Sequence, residues 1–286
     1  MACAFSFSKR ILLRRCSYSV LYQNWHGLHG KVALVTGSTS GIGRGIAEGL
    51  ASRGCNIILN GFGAPNEIKD LEADIIKKYD TKVHHFQGDL SRSNDVQRLI
   101  DDAFKIYPGG VDILINNAGL QYVSPVESFP AEKWNLLLSI MLTAPFLLTQ
   151  RCIPTMKSKG WGRIINISSA HGLVASPYKA AYVSAKHGIM GLTKVVALEM
   201  AGSGITCNTV CPGYVETPLF INQAKDKAVE KGISVDDAKK DIVKVHPSGE
   251  PVKVEEISET VCFLCSSSAN QITGTNITMD GGWTAN

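Results

Sequence analysis

A short apolar strand that runs directly into a glycine-rich loop constrains the fold of this chain more than any other feature. Residues 31–36 read Lys-Val-Ala-Leu-Val-Thr, the letters T-G-S-T-S-G-I-G follow from Thr36 to Gly43, and a helical stretch begins at Arg44. A β-branched apolar run of this kind predicts a buried parallel strand. Glycines let the next backbone turn tightly, so that the amides at the start of the helix can meet a pyrophosphate. The order of strand, loop and helix therefore predicts a dinucleotide site, although the spacing G-x-x-x-G-x-G departs from the common G-x-G-x-x-G.

Strands alternate with helices along the rest of the chain. After the first strand we predict strands at 56–60, 82–87, 111–115, 162–167, 206–210 and 276–279, with helical sequence between them. This alternation predicts an α/β fold, a Rossmann-like, doubly wound parallel sheet of about seven strands in a single domain over residues 29–286. Residues 219–250 are charged and helical. Two interpretations of them stay open, a mobile lid over the site and a plain solvated helical pair.

The first 28 residues have the composition of a mitochondrial transit peptide. They contain four basic residues, no acid, several serines and interspersed apolar side chains. A secretory signal would need a longer apolar run than residues 11–13 before the next arginine. We therefore expect import into the mitochondrial matrix, with cleavage between residues 15 and 29. The alternative is an untargeted extension on a cytoplasmic protein.

The charge balance argues against nucleic-acid binding. The net charge of +4 comes from the basic residues of that extension, since the remaining residues carry 25 basic and 25 acidic side chains. No excess charge is left to attract a polyanion. No unbroken apolar run approaches the ~20 residues that span a bilayer, so we expect no membrane span. The eight cysteines are scattered, and Cys262 and Cys265 have no second pair or histidine nearby, so we expect no metal site.

The pattern Y-x-x-x-K at Tyr182 and Lys186 predicts a catalytic pair on one helix. Residues four apart share a helical face, so an ammonium would stand beside a phenol. Lowering the pKa of tyrosine from about 10 to about 7 requires roughly 4 kcal/mol, which is about what one ammonium at ~4 Å supplies in an effective dielectric of ~20. We expect Tyr182 to act as a general base, with Ser169 holding the substrate oxygen. The alternative is a chance occurrence of the pattern on an exposed helix.

Polar side chains at three other element ends predict a site for a small carboxylate. Gln121 lies two residues past the letters N-N-A-G, His171 lies two residues past Ser169, and Lys179 lies one helical turn before Tyr182. Ligands of open parallel sheets collect where the carboxyl ends of the strands meet. A carboxylate held in a half-desolvated pocket must be paired. We therefore expect these groups to bind a small hydroxy acid or keto acid.

The end of the second strand predicts which dinucleotide binds. An acid at this point usually holds the adenosine ribose, and an arginine accepts a 2′-phosphate, but the letters N-G-F-G at 60–63 supply neither. Without a cation at Ser40 or Phe62, a 2′-phosphate would be poorly compensated, so we expect NAD as the cofactor. Asp89, after the third strand, could cap the following helix or lie along the adenine.

Five motifs together resemble the short-chain dehydrogenase/reductase family. They are T-G-S-T-S-G-I-G at 36–43, N-N-A-G at 116–119, Ser169, Y-V-S-A-K at 182–186 and P-G at 212–213. The resemblance covers nearly all of the chain after residue 30. It implies Ser169, Tyr182 and Lys186 as catalytic residues, and commonly a homotetramer. It also implies that the dinucleotide is bound by Thr36, Gly37, Thr39, Ser40, Gly41, Ile42, Gly43, Phe62, Asp89, Leu90, Asn117, Ala118, Gly119, Tyr182, Lys186, Pro212, Gly213, Val215 and Thr217.

Within that family the chain resembles the D-3-hydroxybutyrate dehydrogenases of bacterial type. The similarity lies in N-G-F-G, in S-A-H-G-L-V-A-S at 169–176, in Y-V-S-A-K-H-G at 182–188 and in the C-terminal D-G-G-W-T. It implies NAD-dependent oxidation of (R)-3-hydroxybutyrate to acetoacetate, a reversible reaction of ketone-body metabolism that needs no metal. It also implies a substrate site formed by Gln121, His171, Lys179, Gln223, Tyr214 and Trp283, of which Gln223 could instead face solvent.

One position departs from the pattern of the family. The long helix before Gly162 usually carries an asparagine, which holds a water on the route by which the proton leaves the tyrosine and lysine, and alignment of residues 134–146 puts Met141 there. A thioether is a weak acceptor and no donor. Either backbone carbonyls alone hold that water or turnover suffers, so a non-catalytic dinucleotide-binding protein is one alternative function. A second alternative is an NADPH-dependent reductase of 3-oxoacyl thioesters or other carbonyls, which the same fold would serve.

Overall fold

A computed structural model of the protein describes residues 26–285 and contains a sheet of seven strands. Every neighbouring pair in the sheet is parallel, and the strands follow the order β3-β2-β1-β4-β5-β6-β7. The predicted fold class, a single α/β domain with a doubly wound sheet, is confirmed. The strands are β1 (Val32–Thr36), β2 (Asn56–Asn60), β3 (Val83–His85), β4 (Ile113–Asn116), β5 (Gly162–Ile167), β6 (Ile205–Pro212) and β7 (Asn276–Met279).

Helices cover both faces of this sheet. One apolar core lies between the sheet and helices α1, α2 and α9, and the other lies between the sheet and α3, α5 and α6. The helices are α1 (Gly41–Ala51), α2 (Pro65–Tyr79), α3 (Ser93–Ile106), α4 (Ala131–Leu138), α5 (Ala144–Lys159), α6 (Ala180–Glu199), α7 (Pro218–Lys231), α8 (Val235–Val243) and α9 (Val254–Cys265).

The side chains of β1 are buried on both faces of the sheet, which is why its sequence is apolar without interruption. Ala33 and Val35 enter the core on one face of the sheet, and Val32 and Leu34 enter the core on the other. A parallel strand covered by helices on both faces has no solvent side, so no polar alternation is needed. The strand order reverses at β1, whose two neighbours are β2 and β4. The carboxyl ends of the strands therefore open a crevice at this point.

The long helical region predicted before Gly162 is divided by a π-helical turn. Helix α4 ends at Leu138, the π turn covers Ser139–Thr143, and α5 continues to Lys159. Met141 lies in this turn and is buried. A π turn inserts one residue into a helix and is often found at functional sites. The turn therefore brings Met141 to the inner side of the helix, close to the crevice.

One run of described residues, Ala131–Lys159, is long and apolar enough to cross a membrane, with a mean hydropathy of 1.6. The sequence analysis did not identify this run, because polar residues such as Ser139 and Thr143 interrupt its apolar residues. In the structure this run packs against α3, α6, β4 and β5. Length and composition alone do not distinguish a membrane span from a core helix of a folded domain.

The charged segment at 219–250 forms the helical pair α7–α8. Its two helices share a small apolar contact of Ala224, Ala228 and Ala238. Asp241 of α8 lies 2.8 Å from the Nζ of Lys227 and 2.8 Å from the Nζ of Lys231, both of α7. These ion pairs lower the pKa of Asp241 to about 2. Movement of this pair as a lid stays a prediction.

The predicted transit peptide lies outside the described residues, except for the short 3-10 turn at His26–Leu28. Leu28 is 2% exposed and belongs to the core. The packed body therefore includes residue 28, one position before the predicted domain boundary. Import into mitochondria and the cleavage position stay predictions.

Candidate active site

Glycines allow the loop after β1 to pack closely on the end of β4. Gly37 has φ +61, and a Cβ on it would lie 2.9 Å from the Cα of Ala118. A Cβ on Gly43 would lie 2.3 Å from the carbonyl oxygen of Gly37. A side chain at either position would push the loop away from the N-N-A-G segment. The loop therefore presents its backbone, and the start of α1, to the crevice.

Two polar residues fasten this loop to the neighbouring strand end. The Nδ2 of Asn117 donates to the carbonyl oxygens of Thr36 at 2.8 Å and Gly37 at 3.0 Å. The Oγ1 of Thr36 accepts from the backbone N–H groups of Asn117 at 3.0 Å and Ala118 at 3.1 Å. Thr36 is 1% exposed, so it holds the loop in place through these buried hydrogen bonds and does not face the crevice.

A cavity of about 560 Å³ occupies the crevice at the carboxyl ends of β1, β2 and β4. Most of the residues predicted to bind the dinucleotide line it: Gly37, Thr39, Ser40, Gly41, Ile42, Phe62, Asp89, Leu90, Asn117, Ala118, Gly119, Tyr182, Lys186 and Thr217. Gly213 and Val215 line a second, smaller cavity. Thr36, Gly43 and Pro212 line neither cavity and are buried beneath the surface.

Sequence reasoning missed several residues of this cavity, among them Asn60, Gly61 and Gly88. Asn60 ends β2, and its Nδ2 donates to the carbonyl oxygens of Phe86 at 3.1 Å and Gly88 at 3.2 Å. Its place at the carboxyl end of a strand next to β1 could have identified it as a residue of this cavity. The sequence analysis considered only an acid or an arginine at this strand end, and Asn60 is neither.

Asp89 serves the turn before α3 and also lines the cavity. Its Oδ1 accepts from the N–H of Ser91 at 2.9 Å and from the hydroxyl of Ser91 at 2.7 Å. These bonds lower the pKa of Asp89, against a smaller opposing effect of burial. Both predicted roles, the local cap and the position beside the nucleotide site, are thus compatible with its geometry.

The catalytic residues predicted from the sequence come together where the two cavities meet. Ser169 follows β5, and Tyr182 and Lys186 lie one turn apart on α6. Lys186 has its Nζ 5.5 Å from the centre of the Tyr182 ring and donates to the carbonyl oxygen of Ile167 at 2.7 Å. The Oγ of Ser169 accepts from the backbone N–H of His171 at 3.1 Å. Oγ is therefore the acceptor in that bond and the Ser169 hydroxyl still has its proton to donate, which in this structure goes to Tyr182.

The sequence predicted a lowered pKa for Tyr182, and the net direction is the opposite. That the charge of Lys186 favours the tyrosinate stays a prediction. Burial raises the pKa of Tyr182, and only a hydrogen bond with Ser169 opposes the rise. Burial also lowers the pKa of Lys186 to about 8, against a smaller effect of Cys211. The physical reason is desolvation: Nζ is bonded to a neutral carbonyl, and loss of water disfavours both charged forms.

The smaller cavity, about 140 Å³, lies next to Tyr182 and contains the predicted substrate residues. It is lined by all six of them, Gln121, His171, Lys179, Gln223, Tyr214 and Trp283, together with Ser169 and Tyr182. Gln223 therefore faces the site and not only solvent. Leu219 and Phe220 also line it and were not among the predicted site residues, and Ile42, which was predicted for the dinucleotide, lines it as well. Leu219 and Phe220 belong to the helical pair α7–α8, so this segment forms one wall of the site.

Lys179 gives the smaller cavity a positive charge. Among the described residues that line this cavity, it is the only Lys, Arg, Asp or Glu, and burial lowers its pKa. The pKa of His171 is lowered to about 4 by burial and by Lys179, so the imidazole is neutral at physiological pH. Its Nε2 lies 2.7 Å from the Oγ of Ser176. An unpaired ammonium beside a neutral imidazole favours an anionic ligand.

Two stacked aromatic rings line this cavity. Tyr214, after β6, and Trp283, near the C-terminus, stack with ring centroids 5.9 Å apart and planes within 1°. Trp283 also meets His171 edge-on at 5.0 Å. Asp280 holds the turn that carries Trp283, since its Oδ2 accepts from the N–H of Thr284 at 2.8 Å. Tyr214 and Trp283 therefore form an aromatic wall of this cavity, and the turn that carries Trp283 is held by Asp280.

Cys262 and Cys265, which have the C-x-x-C spacing, lie on α9 away from both cavities. They are free and buried, and burial raises the pKa of Cys262 to about 12. A thiol with so high a pKa stays protonated and unreactive.

Comparisons with known proteins agree with this architecture. The family model described as enoyl-(acyl carrier protein) reductase matches residues 37–284. A D-beta-hydroxybutyrate dehydrogenase of Rhizobium meliloti (strain 1021) is 49% identical over 259 residues, which are 89% of this chain and 99% of that protein. A D-beta-hydroxybutyrate dehydrogenase of Cupriavidus necator is 48% identical over 260 residues, which are 90% of this chain and 99% of that protein.

A solved structure extends the likeness to three dimensions. L-sorbose reductase from Gluconobacter frateurii, complexed with NADPH and L-sorbose, has a TM-score of 0.87 with this chain at 29% identity, over 91% of this chain and 99% of that one. The match of the family model, the near-complete coverage of the relatives and the shared fold lead to one conclusion: the chain belongs to the short-chain dehydrogenase/reductase family.

Proposed function

We propose that the protein interconverts (R)-3-hydroxybutyrate and acetoacetate with NAD as the hydride acceptor. The observation that carries this proposal is the smaller cavity. Its volume of about 140 Å³ is well below the roughly 300–1,000 Å³ of pockets for drug-sized ligands. Lys179 is the only Lys, Arg, Asp or Glu among the described residues that line it, and Ser169 and Tyr182 lie in the same lining. A short carboxylic acid with a hydroxyl on its third carbon has the size and charge that this cavity accepts.

The curated relatives support the same substrate. Two proteins named D-beta-hydroxybutyrate dehydrogenase share about half of their residues with this chain over nearly their whole length. Their name specifies the D enantiomer, which is the (R) form. We extend both the substrate and its handedness to this chain as part of the proposal.

The glycine loop fits a dinucleotide. The close packing of Gly37 on Ala118 and of Gly43 on Gly37 keeps side chains out of a cavity of about 560 Å³ beside the start of α1. Backbone amides at a helix start are suited to a pyrophosphate. Among the described residues that line this cavity, the charged ones are Asp89 and Lys186, and no arginine is among them to accept a 2′-phosphate. We infer that NAD binds in preference to NADP.

The chain's own residues supply proton transfer and orientation. The bound nicotinamide would accept the hydride from the carbinol carbon. Tyr182 takes the proton of the substrate hydroxyl, and Ser169 orients that hydroxyl through the proton that its bond with His171 leaves free. The ammonium of Lys186, with a pKa of about 8, is positively charged at neutral pH. Its charge favours the tyrosinate over the phenol, against the effect of burial.

The substrate carboxylate is held at the other end of the cavity. Lys179 provides the charge, and Gln121 and Gln223 provide amide donors. His171 is neutral because its pKa lies near 4, so it contributes a hydrogen bond and not a second charge. The anion is thus paired with one cation, and the hydroxyl end is left to Ser169 and Tyr182.

One assay tests the proposal directly. The purified protein is incubated with NAD and each enantiomer of 3-hydroxybutyrate, and NADH absorbance is followed. We expect oxidation of the (R) enantiomer, and a Tyr182→Phe variant provides the background rate. Activity on neither enantiomer would overturn the assignment of substrate. A lower Michaelis constant for NADP than for NAD would overturn the assignment of cofactor.

A reductase of 3-oxoacyl thioesters is the second candidate. The description of the matching family model and the NADPH-bound structural neighbour favour it. Such an enzyme would prefer NADPH and would be indifferent to loss of Lys179, because a thioester carries no carboxylate at that place. Rates with acetoacetate and with a 3-oxoacyl thioester, each measured with NADH and NADPH, separate the two candidates.

We further propose that the protein is a homotetramer of the mitochondrial matrix. Val195 and Leu198 share one face of α6 and are 52% and 79% exposed, and Phe146 of α5 is 45% exposed. Exposed apolar side chains of this size on neighbouring helices favour burial against another copy. Light scattering after size exclusion gives the subunit number, and mass spectrometry of the endogenous N-terminus tests cleavage after import.

A further inference from the structure

One buried imidazole outside both cavities joins separate segments of the chain. His246 follows α8, is 2% exposed and lines neither cavity. The backbone N–H of Tyr214 donates to its Nε2 at 3.0 Å, and its Nδ1 lies 2.8 Å from the carbonyl oxygen of Glu250. A backbone N–H can only donate, so Nε2 accepts and the ring proton is on Nδ1, where it donates to Glu250. Both ring nitrogens are thus bonded to the backbone.

The same ring packs against the aromatic wall of the smaller cavity. Its centroid lies 5.8 Å from that of Tyr214 and 6.0 Å from that of Trp283. Those two rings stack on each other and line the cavity together with Ser169 and Tyr182. Through Trp283 and His171, edge-on ring contacts at 5.0 Å and 6.0 Å continue to Tyr182. An unbroken series of ring contacts therefore runs from His246 to the catalytic tyrosine.

Two glycines let the backbone approach this imidazole from both sides. A Cβ on Gly213 would lie 2.3 Å from the Nε2 of His246, and a Cβ on Gly281 would lie 3.1 Å from its Cβ. Gly213 belongs to the segment after β6, and Gly281 to the C-terminal turn before Trp283. The imidazole therefore fills a space that the Tyr214 segment and the Trp283 segment leave between them.

We propose that His246 is a positioning residue for the substrate site. From outside the cavity it fixes the backbone of Tyr214 and the ring of Trp283, and so sets the distance between the aromatic wall and the groups Ser169 and Tyr182. Because a cavity of about 140 Å³ leaves little free space around a small acid, a shift of this wall changes how the acid is held. This inference rests on the proposed function, since it takes the smaller cavity as the site of the hydroxy acid.

Three substitutions separate the hydrogen bonds from the packing. His246→Gln keeps an amide oxygen near the place of Nε2, so it can accept from Tyr214. His246→Asn keeps an amide nitrogen near the place of Nδ1, so it can donate to Glu250 but cannot serve Tyr214. His246→Phe keeps a ring and neither bond. The three variants are compared in kcat and in the Michaelis constants for (R)-3-hydroxybutyrate and NAD.

We expect the Michaelis constant for the hydroxy acid to rise by about tenfold or more in the asparagine and phenylalanine variants, because the N–H of Tyr214 loses its buried acceptor. In the glutamine variant it stays within about threefold, since the bond it loses is to the exposed residue Glu250. The Michaelis constant for NAD is unchanged throughout. Equal constants in the glutamine and asparagine variants would overturn the proposal, as would a phenylalanine variant that matches glutamine, because packing alone would then suffice.

A second measurement keeps this proposal separate from the proposed function. If the wild-type protein oxidises neither enantiomer, the function fails, and amide hydrogen exchange at Tyr214 still tests His246. Slow exchange in the wild type and in His246→Gln, with fast exchange in His246→Asn, supports the positioning role. Exchange at the rate of an exposed loop amide in the wild type overturns it without any variant.

Discussion

Lys186 lies against the ring of Tyr182, with its Nζ 5.5 Å from the ring centroid, while Nζ donates to the carbonyl oxygen of Ile167 at 2.7 Å. Burial raises the pKa of the tyrosine and lowers the pKa of the lysine to about 8. We expect the charge of the lysine to favour the tyrosinate against the effect of burial. Among the described residues, Lys186 is the cation that lines the larger cavity, and Lys179 is the cation that lines the smaller one.

Removal of the charge at Lys186 is expected to impair proton transfer. In Lys186→Met the stem is kept and the ammonium is lost, so the pKa of Tyr182 rises further and less base is available at neutral pH. We expect kcat/KM to fall by about 10²-fold or more, which is the usual contribution of a positioned general base. We also expect the rise of kcat/KM with pH, which reports deprotonation of the base, to shift to higher pH. The measurement is kcat/KM as a function of pH.

A matched control for this variant is Lys194→Met on the same helix. Lys194 is exposed and lies away from both cavities, so it should leave the pH profile unchanged. A Lys186→Met enzyme with the same profile as Lys194→Met would contradict the role given to Lys186.

Met141 tests whether the missing asparagine limits turnover. It is 2% exposed and packs with Leu137, Ala181 and Ala185 in a small apolar cluster, and its sulfur faces Gly119 at the floor of the larger cavity. Met141→Asn places an amide in this cluster, so we expect it to lower the free energy of unfolding by about 1–3 kcal/mol. We expect kcat to rise by less than about tenfold, because Ser169, Tyr182 and Lys186 are intact.

Met141→Leu keeps the volume without a polar group and serves as the control. Thermal unfolding and kcat are measured for both variants. A rise in kcat from near zero in Met141→Asn, with no rise in Met141→Leu, would show that the natural sequence is a non-catalytic dinucleotide-binding protein.

The sequence predicted the fold and most of the site for a physical reason. Strands buried on both faces leave continuous apolar letters, and glycines such as Gly37 mark places where a Cβ cannot fit, so both features are visible in the order of residues. Contacts between residues that are far apart in the sequence are not visible in this way. His246 is one histidine in a charged stretch until the fold brings Tyr214 and Trp283 against it.

The electrostatics of the site also needed the structure. From the sequence, Lys186 and Tyr182 are a cation and a phenol one helical turn apart, and Coulomb attraction alone lowers the pKa of the phenol. Desolvation opposes it and depends on burial, which no local pattern gives. The π turn at Ser139–Thr143 was missed for a similar reason, because it arises from packing and not from helix propensity.

Lys179 is expected to determine affinity for a charged substrate. Loss of its ammonium in Lys179→Ala removes the partner of the carboxylate, and a charge-assisted hydrogen bond contributes about 1.5–3 kcal/mol. We therefore expect the Michaelis constant for (R)-3-hydroxybutyrate to rise by about 10- to 100-fold. An uncharged ketone assayed with the same variant is the internal control, and its constant should change by less than about threefold. Equal effects on both substrates would remove the assigned role.

The affinity for the carboxylate should also depend on pH through Lys179. Burial lowers the pKa of this lysine, so its charge is lost at a lower pH than that of an exposed lysine. The Michaelis constant for the hydroxy acid is expected to rise at alkaline pH in the wild type. In Lys179→Ala we expect this constant to show no such rise, because the titrating group is absent. Parallel curves for the two proteins would contradict this reading.

His171 is expected to stay neutral over the physiological range. Its pKa is lowered to about 4, against about 6.5 in an unfolded chain. Between these values the unfolded chain binds more protons, so the stabilising contribution is complete above about pH 6.5 and is lost as the pH falls toward about 4. Nuclear magnetic resonance of the imidazole should show no titration from about pH 8 to about pH 5. In His171→Gln, the thermal midpoint should fall less between about pH 7 and about pH 5 than in the wild type, and an equal fall would contradict the assignment.

Phe62 tests the basis of the preference for NAD. It is 64% exposed at the edge of the larger cavity, in which Asp89 and Lys186 are the charged members among the described lining residues. A guanidinium at this place would pair with a 2′-phosphate. In Phe62→Arg we expect the Michaelis constant for NADP to fall by about tenfold, which corresponds to one charge-assisted hydrogen bond, with little change for NAD. Phe62→Leu removes the ring without adding a charge and should leave the constant for NADP as it is. If the arginine and leucine variants change that constant equally, the missing cation is not what disfavours NADP.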